Sequence, residues 1–125
     1  MKEIISLDGA CKKLAMQQGI RFVGVINSKG RLVAGGFKDG ITPHETDEKR
    51  QMLFMEVMLD LTMRREFDNT LGTVRAISSR RDKVTMTSIP LGDSLLLISS
   101  EPYVSEDVII RRANEIFNIS GGYQN

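Results

Sequence analysis

Residues 20–36 read Ile20-Arg21-Phe22-Val23-Gly24-Val25-Ile26-Asn27-Ser28-Lys29-Gly30-Arg31-Leu32-Val33-Ala34-Gly35-Gly36. The first eight are rich in β-branched residues, and Phe22, Gly24 and Ile26 alternate with Arg21, Val23 and Val25. A short Gly-bearing loop, Ser28 to Gly30, separates them from a second extended run, Arg31 to Gly36. Two such runs around so short a loop predict a β-hairpin. A hairpin cannot bury its apolar residues alone, so the rest of the chain must supply a sheet and a cover.

Upstream, Leu7, Cys11, Leu14 and Ala15 recur at helical spacing and predict a helix over 7–18, with Gly19 as its stop. Downstream, residues 36–42 form a loop. Thr42-Pro43-His44-Glu45 has the form of a capping box, with Thr46 as a second candidate cap. From there to about Asn69 there is neither Gly nor Pro, which predicts one long helix. Leu71-Gly72 stops it. Thr73–Arg80 and Lys83–Ile89 read as strands around Arg81-Asp82, and Pro90 to Asp93 as a second turn. Ser94–Ser100 is a strand apolar on both faces, hence central. Ser105-Glu106-Asp107 opens a last helix whose inner stripe is Val108, Ile109, the Arg112 stem, Ala113, Ile116 and Phe117. The predicted fold class is α+β: an α-β-β-α-β-β-β-α sandwich, one five-stranded antiparallel sheet with helices on both faces.

The chain's 125 residues suit a single domain, expected over 1–119, with 120–125 as a disordered tail. Seventeen Lys and Arg against sixteen Asp and Glu leave a formal charge of +1. That balance removes any global argument for nucleic-acid or membrane binding. One Cys and one His exclude a disulfide scaffold and thiolate–imidazole zinc cages. Residues 1–16 lack an uninterrupted apolar stretch, and runs such as Leu95–Ile98 fall far short of the roughly 20 residues that span a bilayer. The expected compartment is the cytoplasm.

The long helix carries more apolar surface than one sheet face can cover. At about 100° per residue its apolar arc spans on the order of 240°, where a helix resting on a sheet needs about 100°. Lys49, Glu56, Asp60 and Arg64 form the narrow polar stripe. Met52, Phe54, Met55, Val57, Met58, Leu59, Leu61 and Met63 fill the remainder. Either the helix is sandwiched within the monomer, or its outer side meets a second copy or another protein.

Catalytic chemistry is sparse. His44 stands beside Glu45, Asp47 and Glu48 without a partnered nucleophile, as expected of a solvated helix start. Asp39, Glu45, Asp47 and Glu48 lack the ligand spacing of a calcium loop. Neither phosphate-cradling glycine motif occurs. Cys11 falls on an apolar stripe and reads as a buried, inert thiol. Gly24 reads as a site where a helix comes close to the sheet. Residues 37–48 carry a net −3, and residues 64–83 a net +3. The two patches are expected near opposite ends of the long helix, where they complement its dipole or pair across a symmetric dimer. An anion contact at Arg80-Arg81-Lys83 lacks neighbouring aromatic residues in the sequence.

The element order, the hairpin RFVGVINSKGRLVAGG and the aliphatic central helix together resemble the Roadblock/LC7 group of profilin-like and longin-like domains, over residues 7–118. The same hairpin, with MLFMEVMLDLTMRREFD and IPLGDSLLLISSEP, is similar to a family of small archaeal proteins with no assigned activity. The Roadblock resemblance implies a dimer built on the central helix and the third strand, with sheets joined edge to edge. It also implies a scaffold or regulator of small GTPases and motors rather than an enzyme, and no cofactor. Carried to this chain, the implied interface is Met55, Met58, Leu61, Arg65 and the strand from Thr73 to Arg80, Val74 and Ile77 included. That strand is richer in Ser and Arg than a fully buried joint. The alternative reading is a small-ligand sensor of PAS/GAF-like type, which needs an enclosed pocket with converging polar groups.

Overall fold

The computed structural model describes residues 6–119. The predicted tail lies outside them. Helix α1 (Leu7–Ala15) leads into the hairpin β1 (Ile20–Ile26) and β2 (Leu32–Phe37). Helix α2 (Asp47–Arg64) follows. A 3-10 turn (Arg65–Phe67) and a one-turn helix α3 (Asp68–Leu71) extend it. The meander β3 (Ile77–Arg80), β4 (Thr85–Leu91) and β5 (Ser94–Ser100) comes next, and α4 (Glu106–Ile116) closes the described chain. The sheet is antiparallel throughout, in the order β2-β1-β5-β4-β3.

Strand β5 is central because both of its faces are apolar. Leu95 and Leu97 face α2, where they join Phe22, Ile26, Phe54, Met58 and Leu61. Leu96 and Ile98 face α1 and α4, where they join Val23, Val25, Cys11, Leu14, Ile109 and Ala113. Two cores thus lie on opposite sides of one sheet. Two helices share one of them, and α2 stands alone over the other.

Several boundaries differ from the sequence reading. Thr42 caps nothing: α2 begins at Asp47, where Thr46 Oγ1 accepts from Lys49 N–H at 3.2 Å. The stretch from Thr42 to Glu45 is loop, and Glu45 turns to bind Arg50. The regular helix stops at Arg64, because the chain tightens into the 3-10 turn before Gly72 reverses it at φ +90°. β3 begins at Ile77 instead of Thr73. Pro90 belongs to β4, paired with Leu95. Its missing N–H costs no ladder bond there, since β3 pairs only with residues 85–88 of β4. Gly24 admits no helix: a Cβ there would come within 2.8 Å of the Leu32 and Phe22 side chains. The close approach is at Gly35 (φ +82°), where a Cβ would strike the Val23 carbonyl and come within 2.9 Å of Cys11 Sγ on α1.

Candidate interaction surface

Helix α2 turns Phe54, Met58 and Leu61 into the sheet and leaves Met52, Met55, Leu59 and Met63 each more than half exposed. Phe67 and Leu71 prolong this outer stripe past the helix end. The arc is therefore wide because it serves two environments. The sandwiched alternative fails, because no helix covers the outer side of α2 among the described residues.

Of the residues the resemblance implicated, Met55 is exposed, with its stem against Gly30 of the β1–β2 turn. Met58 and Leu61 are corrected to the monomer core: at 7% and 0% exposure they are covered by the chain's own sheet. Helical phase separates them from Leu59 and Met63, which take the outer face instead. Arg65 donates to the Gly92 carbonyl at 2.9 Å and so ties the end of α2 to the β4–β5 turn. Val74 and Ile77 are half-buried beside the α2 core.

Strand β3 is an edge. It hydrogen-bonds β4 on one side and no strand on the other among the described residues. Between it and α2 runs a groove of about 360 Å³, with Ile77, Met86 and Ser88 as floor, Leu53 and Val57 as wall, Leu59 and Met63 at the lip, and Glu56, Asp60, Ser79 and Arg81 as its polar lining. The groove sits beside the unpaired strand, so edge and helix flank form one continuous surface.

A second cleft, of about 510 Å³, opens farther along the same face, between the start of α2 and the β3–β4 turn. Arg81, Asp82 and Lys83 line it together with His44, Glu45, Lys49 and Arg50. This corrects the expectation of opposed patches. After the reversal at Gly72, β3 runs back along α2, and its turn returns basic residues to the acidic end. The long-range fold also supplies aromatic rings that the local sequence lacked. Phe22 packs against Phe37 and Phe54, at centroid distances of 5.0 and 5.9 Å, and all three line the cleft. Arg50 lies 4.8 Å over the Phe37 ring and binds Glu45 and Asp47, each at 2.8 Å. Burial works against its charge. Hydrogen bonds donated to those two carboxylates, and their charges, outweigh that cost and hold the guanidinium above its ordinary value.

Those pairings also take Glu45 and Asp47 away from any metal role. Among the described residues no three His, Cys, Asp or Glu side chains are placed to hold an ion. Cys11 is 2% exposed, and burial, then the charge of Asp8, pushes its thiol up to about 11. No helix among the described residues is long and apolar enough to cross a membrane.

A family model described as "Family of unknown function (DUF6659)" matches residues 1–121. No curated protein sequence matches the chain. Among solved structures, a Roadblock/LC7 domain from Streptomyces avermitilis superposes with a TM-score of 0.70 at 10% identity, over 90% of this chain and 92% of that one. An MglB structure with a tetrameric arrangement gives 0.71 at 12% identity, over 86% and 79%. Schizosaccharomyces pombe profilin gives 0.62 at 9% identity, over 93% and 100%. At these identities the likeness is one of fold, and the fold is Roadblock- and profilin-like, as its element order implied.

Proposed function

The chain belongs to the DUF6659 family of unknown function, and from its architecture we propose that it is a non-enzymatic, dimeric interaction module that regulates a small GTPase or another signalling partner. One observation carries the dimer: the edge of β3, unpaired among the described residues, lies beside a helix flank whose Leu59 and Met63 the chain itself leaves bare. An open edge invites strand pairing, and a monomer that keeps one normally blunts it. Two copies related by a twofold axis satisfy both features together. Their β3 strands pair antiparallel, and each groove receives the partner's α2 flank through Val57, Leu59, Met63 and Ile77. Arg65, just past α2, and Val74, before β3, border this surface. The tetrameric arrangement of the MglB relative supports a self-associating role for the fold. The regulatory role rests on the Roadblock resemblance and is supported by Met52 and Met55. Met55 lies on the hairpin side of α2, against Gly30, and with the exposed Met52 offers adaptable apolar surface to another protein.

Ser78→Cys and Ser79→Cys, made separately, test the geometry. Both residues are exposed on β3, and Cys11 is too buried to interfere. Mild oxidation is expected to give a disulfide-linked dimer with at least one of them and none with Val33→Cys on the opposite edge. Cross-linking through Val33→Cys alone would contradict the β3 joint.

A further inference from the structure

The 510 Å³ cleft between α2 and the β3–β4 turn falls within the range of about 300–1,000 Å³ usual for small-ligand sites. Its floor is hydrocarbon, formed by Phe22, Leu53, Phe54 and Leu97. Its rim is strongly cationic: Arg21, Lys49, Arg50, Arg81 and Lys83 against Glu45 and Asp82. Two of these cations are already answered. Arg21 binds Glu101 and the Thr42 carbonyl, and Arg50 binds Glu45 and Asp47. Lys49, Arg81 and Lys83 take part in none of the ion pairs among the described residues. They reach the cleft from two separate elements, and like charges brought together beside an apolar surface favour an anion between them.

Ser99, 8% exposed, also lines the cleft. Apart from Ser99 and His44, uncharged hydrogen-bonding side chains are absent from the lining. A ligand with polar groups along its whole length, such as a nucleobase, would leave them unanswered.

We propose that this cleft binds an amphipathic anion, a carboxylate or phosphate head on a hydrocarbon body. Lys49, Arg81 and Lys83 hold the head, and the body lies over Phe22, Leu53 and Phe54. The site adjoins the groove assigned to the second copy and shares Leu53, Arg81 and Met86 with it, whereas Leu59 and Met63 line the groove alone.

Calorimetric titration of the whole chain with decanoate, monodecyl phosphate, decylamine and decanol, each below its micelle concentration, tests this. Saturable binding at one anion per chain is expected, at least tenfold tighter than for decylamine or decanol. The tighter of the two anions identifies the head group. The triple variant Lys49→Ala/Arg81→Ala/Lys83→Ala changes only exposed side chains, so an unaltered circular dichroism spectrum is expected. It should bind the anion at least tenfold more weakly. Leu59→Glu/Met63→Glu should bind it as the parent chain does, whatever that variant's mass. Absence of saturable binding by both anions, equal binding of all four probes, or an unaffected triple variant would each overturn the proposal.

Discussion

Gly30 of the β1–β2 turn sits directly on Met55 of α2: a Cβ at Gly30 would come within 2.9 Å of Met55 Cγ and 3.2 Å of its Cα. The turn is held in place by its own hydrogen bonds. Asn27 Oδ1 accepts from Lys29 and Arg31 N–H, each at 3.0 Å, and the Asn27 carbonyl accepts from Gly30 N–H at 2.9 Å. Gly30 is at φ +77°, so both its conformation and its space demand glycine. This contact fixes the outer side of α2 against the hairpin.

Gly30→Ala therefore combines an unfavourable φ with a clash on helix backbone. A loss of about 1–3 kcal/mol is expected. Urea unfolding of the purified variant measures it, and a change within error of zero would show that the turn yields.

Arg21 is a buried cation in β1, its side chain 9% exposed, bound to Glu101 at 3.2 Å and to the Thr42 carbonyl at 2.9 Å. Removing Glu101 strands the guanidinium, so Glu101→Ala should cost about 1–3 kcal/mol. Arg21→Met removes the charge itself and leaves a carboxylate that water can still reach, so its cost should be smaller. The order of the two unfolding midpoints checks this.

Cys11 keeps its proton in the folded chain up to about pH 11, whereas an unfolded thiol loses it near 9. Above the lower value the unfolded state releases a proton that the folded state retains. Stability should therefore fall as pH rises from about 9 to about 11, and Cys11→Ala should flatten that fall. At neutral pH the native thiol should resist alkylation and become reactive once the chain is unfolded.

Neighbouring helix positions should behave in opposite ways. Leu59→Glu/Met63→Glu places charge on exposed positions and should give a folded chain of halved mass. Leu61→Glu buries a charge in the core and should abolish cooperative unfolding. A folded Leu61→Glu chain would mean that the inner and outer faces of α2 have been exchanged.

The fold was legible because its signals are periodic and local. The hairpin alternation, the two-faced Ser94–Ser100 strand and the excess apolar arc of α2 each pointed to the observed architecture. The arc alone does not set helical phase to within one residue, so it cannot tell the inward Met58 and Leu61 from the outward Leu59 and Met63. The cleft was illegible for a different reason. Phe22, Lys49, Arg81 and Ser99 are far apart in sequence and meet only because the chain reverses at Gly72 and β5 pairs between β1 and β4. The 100° plot of α2 could have exposed one sign of the groove, since Leu53 and Val57 fall between the inward Phe54 and the polar stripe of Glu56 and Asp60.

Light scattering of the purified chain at micromolar concentration decides whether two copies associate. One species of twice the 14.0 kDa chain mass is expected. A single species of 14.0 kDa, unchanged as concentration rises, would contradict it.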